Sequence, residues 1–239
     1  MQPHNDTVKM PHVILLDVYE TLLDMSGVER RVNTLMDSKR GYIIWLELFM
    51  EYCFVDNCTV QFNDFSSIAK ATMQMTGATL NRKVDEFDIN EILELLKQLP
   101  VRDGVPQGLS LLNDMGFRVA ALTNSPEQTV RHRMESTGLV SYFEKVLSAE
   151  RVRKYKPCIE VYTWAAEQMD VQLADILLVS SHGWDIAGAA NAGMQTAYMK
   201  HDGQTLYPLA PTPNITCSTL EDLTHQLQAM KEAPKRSVS

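Results

Sequence analysis

Cysteine is scarce: four residues in 239, at Cys53, Cys58, Cys158 and Cys217, are too few and too scattered for a disulfide scaffold. Cys53 and Cys58 stand five apart with no His or Cys pair to complete a zinc site, so the thiols read as reduced and packed as small hydrophobes. Positive charge is also short: 22 Lys plus Arg against 30 Asp plus Glu leave a net charge of −8. That balance speaks against broad nucleic-acid binding, which needs clustered cations to neutralise phosphates. No apolar run approaches the roughly 18 residues of a membrane span. The start, Met1 to Met10, is polar and lacks the apolar stretch of a signal peptide, which points to the cytoplasm. There is no internal repeat and no low-complexity segment. What remains, 45% apolar and 22% charged, is the composition of a globular chain. The length suits one large domain, or a core carrying a smaller one.

The chain does contain an alternation of strand and helix signals. His12-Val13-Ile14-Leu15-Leu16-Asp17 is a short branched apolar run ending in a carboxylate, the pattern of a buried parallel strand. Apolar positions then fall at helical spacing in Tyr42–Met50, Ile68–Met75 and Ile89–Leu99, with N-cap character at Asp64 and Asn90. After Pro100 the predicted strands are Phe117–Thr123, Val146–Ser148, Ile176–Ser180 and Thr196–Met199. Helices are predicted from Val105 to Gly116, Ser125 to Gly138, Pro157 to Met169 and Asp185 to Gly193. The expected fold is α/β: a doubly wound, Rossmann-like parallel sheet with an inserted α-helical cap. Residues 1–24 and 100–239 would form the core and 25–99 the cap. The polar tail from Lys231 to Ser239 is expected to fray.

Several predicted strands end on polar residues: Asp17, Thr123-Asn124 and Ser180-Ser181-His182. Open parallel sheets bind ligands outside the carboxyl ends of their strands, so these residues converge on one crevice. The helical insertion leaves just after the first strand, which places it over that crevice as a lid.

Those strand ends carry a resemblance. Asp17-Val18-Tyr19-Glu20-Thr21-Leu22 resembles the first motif of the haloacid dehalogenase superfamily. Thr123-Asn124 resembles the second, Lys156-Pro157 the third and Ser180-Ser181-His182-Gly183-Trp184-Asp185 the fourth. Within the superfamily the chain is most similar to the L-2-haloacid dehalogenases. Their first motif reads Asp, any residue, Tyr, Gly, Thr. Their third reads Tyr-Lys-Pro with a Tyr six residues after the Lys, here Tyr155-Lys156-Pro157 and Tyr162. The phosphatases of the superfamily carry a second Asp where Tyr19 stands, acting as acid/base beside a magnesium ion. Tyr19 cannot do that work, and the paired carboxylates of a magnesium site are not evident. The resemblance therefore implies an (S)-2-haloacid dehalogenase, without metal or cofactor, acting on short 2-haloalkanoic acids, and often a homodimer through its cap. The rivals are a magnesium-dependent phosphatase and a non-catalytic binding relative.

The resemblance also implies roles. Asp17 is the nucleophile, its carboxylate displacing halide from C2 and forming an ester. Lys156 is the cation that keeps Asp17 ionised, rather than a solvated surface lysine. Thr123, Ser180 and nearby backbone N–H groups hold the substrate carboxylate. Asn124 and the edge of Trp184 cradle the halide, unless Trp184 is plain core packing. Tyr19 forms a pocket wall. Asp185 holds Lys156 or assists the water.

Two departures stand out. Glu20 replaces the motif Gly, and His182 replaces the motif Asn. Imidazole is a good general base near neutral pH, and a carboxylate on its other nitrogen orients the ring. The pair is expected to activate the water that hydrolyses the Asp17 ester. The rival has His182 as a satisfied strand-end histidine and Glu20 as a solvated loop residue. The second departure is a loss. The family's halide-binding Arg lies eight residues before a cap Trp. Counting back from Trp45 gives Asp37, with Lys39 and Arg40 out of register. A one-turn shift would bring Arg40 into the pocket.

Overall fold

The computed structural model describes residues 9–201 and 205–232. The strands are β1 Val13–Leu16, β2 Arg118–Thr123, β3 Lys145–Ser148, β4 Ile176–Ser180, β5 Gln195–Met199 and β6 Ile215–Cys217. All pair in parallel, in the order β3-β2-β1-β4-β5-β6. Between β1 and β2 come α1 Ser26–Leu35, α2 Gly41–Thr59, α3 Phe65–Thr79, α4 Glu86–Lys97 and α5 Val105–Asp114. The later helices are α6 Glu127–Ser136, α7 Ile159–Met169, α8 Gly183–Ala192 and α9 Leu220–Glu232.

β1 lies at the centre with all four residues fully buried. Side chains of a strand alternate between faces. Ile14 and Leu16 therefore join a core that includes Leu109 and Leu112 of α5 and Leu220 and Leu223 of α9. Val13 and Leu15 join a second core with Val161, Tyr162 and Ala165 of α7 and Ala189 of α8. Helices thus cover both faces, which is why the strands read as continuous apolar runs. The chain order reverses between β1 and β4, so a crevice opens beyond their carboxyl ends. Leu16 pairs with Ala121 on one side and Val179 on the other, so Asp17 emerges one residue past the ladder, its N–H still donating to Val179 at 3.0 Å.

The α/β Rossmann-like architecture agrees with the sequence reading; several boundaries do not. α7 begins at Ile159, with Cys158 as its N-cap, two residues beyond Pro157. Asn90 lies inside α4, whose N-cap is Asp85 accepting from the Asp88 N–H at 3.0 Å. Asp64 does cap α3, accepting from the Ser67 N–H at 3.0 Å. α2 runs well past Met50 to Thr59. It is apolar on nearly every side, so periodicity alone could not mark its ends. β6 and α9 are additional to the strands and helices predicted from the sequence. The tail expected to fray lies outside the described residues from position 233 onward.

Candidate active site

Asp17 follows β1 directly and is 5% exposed. Lys156 Nζ donates to Asp17 Oδ1 at 2.8 Å, to Asp185 Oδ2 at 2.7 Å and to the Leu122 carbonyl at 3.1 Å. All three hydrogens of the ammonium are therefore used. The second oxygen of Asp17 accepts from the Thr21 hydroxyl at 2.9 Å. That hydroxyl also accepts the Ser181 N–H at 3.1 Å, which ties the first motif to the fourth across the crevice. Burial works against an ionised Asp17, but Lys156, then His182 and the Thr21 hydroxyl, more than offset it and hold the carboxyl below its ordinary value. Burial opposes the charge on Lys156 too. Asp17 and Asp185 outweigh it and raise the lysine above its usual value.

Asp185, in the first turn of α8, is fully buried. Its Oδ1 accepts from the Tyr162 hydroxyl at 2.6 Å. Burial, then the Asp185 charge, pushes that phenol well above its ordinary range, so it remains a donor. Close approach of α8 to α7 permits this contact. A side chain at Gly188 would meet the Tyr162 hydroxyl at 2.7 Å and collide with Pro157. With both oxygens engaged, Asp185 holds Lys156 and is not aimed at a water.

His182 caps the β4 end of the crevice. Its Nε2 lies 3.2 Å from the Tyr19 carbonyl and 3.6 Å from Asp17 Oδ2. Its Nδ1 lies 3.6 Å from Glu20 Oε2, beyond direct hydrogen-bond reach but adjacent. The ring stacks on Trp184 with centroids 5.0 Å apart and planes 16° from parallel. Glu20 sits at φ 61°, the left-handed region that favours glycine. A glycine at this position would adopt the same φ without strain. The Glu20 N–H donates to the Leu23 carbonyl at 3.0 Å, and its own carbonyl faces His201 Nε2 at 3.2 Å.

These groups floor a cavity of about 80 Å³ lined by Asp17, Tyr19, Glu20, Thr123, Asn124, Lys156, His182 and Trp184. Its roof is apolar and comes from the helical insertion, including Met25, Tyr42, Trp45, Phe49, Phe65 and Leu96. The insertion is hydrogen-bonded to the core beside Lys156. Asn57 Nδ2 donates to the Tyr155 carbonyl at 2.8 Å, the Tyr155 N–H donates back to Asn57 Oδ1 at 2.9 Å, and the Tyr155 hydroxyl donates to the Asn63 carbonyl at 2.6 Å.

Of the ten residues expected from the sequence, eight line the cavity, and Asp185 stands behind them, bonded to Lys156. Ser180 is the exception. It is fully buried, does not line the cavity, and its hydroxyl accepts the His182 N–H at 3.1 Å, shaping the turn from below. Asn124 lines the cavity, but its amide is engaged with the backbone of Lys156: Oδ1 accepts the Lys156 N–H at 2.7 Å and Nδ2 donates to the Lys156 carbonyl at 3.3 Å. Arg40 does not enter the pocket. It is the exposed N-cap of α2. Asp37, at the position of the family Arg, pairs with Arg82. Among the described residues no arginine lines the cavity. Thr21, Tyr162 and Tyr42 join the site beyond the residues expected from the sequence. The first two sat inside recognised motifs; nothing in the sequence marked Tyr42.

Among the described residues no group of three or more His, Cys, Asp or Glu side chains could hold a metal ion. The two buried carboxylates, Asp17 and Asp185, have an ammonium between them. No helix among the described residues is long and apolar enough to cross a membrane.

Residues 11–193 match the sequence model of the haloacid dehalogenase-like hydrolases. Haloacetate dehalogenase H-2 of Moraxella sp. (strain B) is 26% identical over 220 residues, covering 91% of this chain and 98% of the relative. The (S)-2-haloacid dehalogenase of Pseudomonas sp. (strain YL) is 25% identical over 209 residues, covering 87% and 90%. Among solved structures, the L-2-haloacid dehalogenase RSc1362 superposes with a TM-score of 0.86 at 24% identity, over 92% of this chain and all of the other. A match over this much of the chain places the protein in a family: it belongs to the haloacid dehalogenase-like hydrolases.

Proposed function

We propose that the protein is an (S)-2-haloacid dehalogenase acting on short 2-haloalkanoic acids. The observation that carries this reading is the Asp17 carboxylate, ionised beside Lys156 at 2.8 Å and facing a small cavity with an apolar roof. An ionised carboxylate in such a place is suited to attack a neutral carbon. In the first step an Asp17 oxygen bonds to C2 as the carbon–halogen bond breaks, and the electron pair leaves with the halide. Charge on Asp17 is lost as the ester forms, while Lys156 remains paired with Asp185. The substrate carboxylate would lie near the Thr123 hydroxyl and the backbone N–H groups of the same loop. With no arginine among the described residues that line the cavity, the halide would leave against Trp184, the remaining Asn124 N–H and the apolar roof.

In the second step water attacks the carbonyl carbon of the Asp17 ester. His182 takes the proton, with Glu20 beside its other nitrogen to stabilise the imidazolium. The acyl–oxygen bond then breaks, His182 returns its proton to the departing oxygen to release the 2-hydroxy acid, and Asp17 sheds the other water proton to solvent and is restored as a carboxylate. One displacement at C2 inverts that centre; the second step leaves it untouched. This reading also has 25–99 as a cap, the cytoplasm as the place of action, and a homodimer. The exposed Ile43, Tyr52 and Val55 of α2 are compatible with the last.

The test is halide release from 2-bromopropionate and bromoacetate with EDTA present, using wild type and His182→Ala, with intact-protein mass spectrometry on both. Wild type should turn over, and the variant should stall as an ester adduct. No halide and no adduct from wild type would sink the reading and direct attention to phosphoesters with magnesium.

A further inference from the structure

Glu20 is positioned from two directions. Its left-handed backbone is held within the core, by Leu23 and His201. Its side chain is held from the helical insertion. The Tyr42 hydroxyl, in the first turn of α2, donates to Glu20 Oε1 at 2.8 Å. That bond occupies one carboxylate oxygen and leaves Oε2 as the one beside His182 Nδ1.

Tyr42 is itself fixed. Its N–H donates to Asn33 Oδ1 at 2.9 Å, and its ring meets Trp45 edge-on with centroids 6.2 Å apart. The start of α2 can approach α1 closely because position 41 is glycine; a side chain at Gly41 would meet Met36 Cβ at 2.7 Å and the Val32 carbonyl at 3.2 Å. Burial, then the Glu20 charge, pushes the Tyr42 phenol above its ordinary value, so it keeps its proton and stays a donor.

We propose that Tyr42 is a positioning residue for the second chemical step, tying the Glu20–His182 pair to the docked helical insertion. This rests on the dehalogenase reading above. A carboxylate on a rotatable side chain can present either oxygen, or neither, to the imidazole. A hydroxyl fixed on the opposite side selects one arrangement. The first step, at Asp17, is organised by Lys156 and Thr21 and does not involve this contact. Through this contact the Tyr42 hydroxyl acts on ester hydrolysis, and water activation is complete only while α2 is seated on the core.

The experiment is rapid-quench kinetics with 2-bromopropionate on wild type, Tyr42→Phe, Glu20→Ala and the double variant. First-turnover halide release, Asp17 ester by intact mass, and melting temperature are read for each. Phenylalanine keeps the ring against Trp45 and removes only the hydroxyl. The expected result is that Tyr42→Phe accumulates the ester, with hydrolysis about tenfold slower, as suits loss of one hydrogen bond to a charged group. Because Tyr42 also lines the cavity, hydrolysis is read against the same variant's first halide burst, and the ratio of the two should fall about tenfold. In the Glu20→Ala background the same change should alter hydrolysis by less than about twofold, since the contact is already gone. Wild-type hydrolysis in Tyr42→Phe, or an equal slowing with and without Glu20, would overturn the proposal while leaving the dehalogenase reading intact. No halide and no ester from wild type would overturn both.

Discussion

Lys156 and His182 flank the same carboxylate, and they are held in opposite ways. The Lys156 side is closed: every ammonium hydrogen has a partner at 3.1 Å or less, Asp185 and Tyr162 stand behind it, and nothing there is more than marginally exposed. The His182 side is open: its contacts to Asp17 and Glu20 are both 3.6 Å, and its carboxylate partner sits on a left-handed backbone. In the proposed mechanism the difference matches two chemical tasks. A nucleophile must be ionised and aimed before substrate arrives, which rewards a saturated network. A general base must admit a water between itself and the ester, which requires slack. Strained backbone at such a position is a common mark of function.

The largest expected effect breaks the closed side. Lys156→Met leaves two buried carboxylates without their cation, and loss of about 3–5 kcal/mol is expected, with halide release abolished. Urea denaturation checks the first and a halide assay the second. A variant as stable as wild type would mean that the network carries no weight. Next comes the pH dependence of the same network. Folded Asp17 binds its proton more weakly than the unfolded chain, so its stabilisation is present above about pH 3.8 and disappears as the pH falls through its lowered value. Folded Lys156 binds its proton more strongly, so its share is present below about pH 10.5 and disappears as the pH rises through its raised value. Melting temperatures across this range should fall at both ends, and Asp17→Asn should flatten the acid limb.

A smaller effect sharpens the open side. Glu20→Gly and Glu20→Ala both remove the carboxylate, but only glycine suits φ 61°. The Gly variant should be the more stable of the two by about 1 kcal/mol, the reverse of the usual order, while both slow ester hydrolysis. Equal stability would mean that the left-handed backbone relaxes at no cost. Smallest of all is Arg40→Ala. An exposed residue outside the cavity should change stability by no more than about 0.5 kcal/mol and leave halide release unaltered. A marked loss of halide release would show that the residue reaches the pocket after all.

β1 to β5 were legible because each is buried on both faces and so spells a largely apolar run. Asp17, Lys156 and His182 were legible because they follow strand ends or sit in recognisable motifs. What escaped was decided by three-dimensional context. Ser180 looked like a crevice residue from its place at a strand end, yet its hydroxyl turns to the His182 amide. Nothing in the chain showed that Asn124, expected at the halide, also holds the Lys156 backbone through both ends of its amide. The Tyr42–Glu20 bond joins residues 22 apart on different elements and leaves no pattern in the chain. α9 did leave one: Leu220, Leu223 and Leu227 recur at helical spacing, and all three are buried. β6 is three residues long and too short to show a period.

The central claim is that Asp17, not water, attacks the carbon. A single turnover of 2-bromopropionate in oxygen-18 water, with enzyme in excess, tests it most directly. Attack by Asp17 followed by hydrolysis at its carbonyl carbon places the label in the peptide containing Asp17 and leaves the first 2-hydroxy acid unlabelled. Label in the product, with none in that peptide, would mean direct attack by water and would contradict the mechanism.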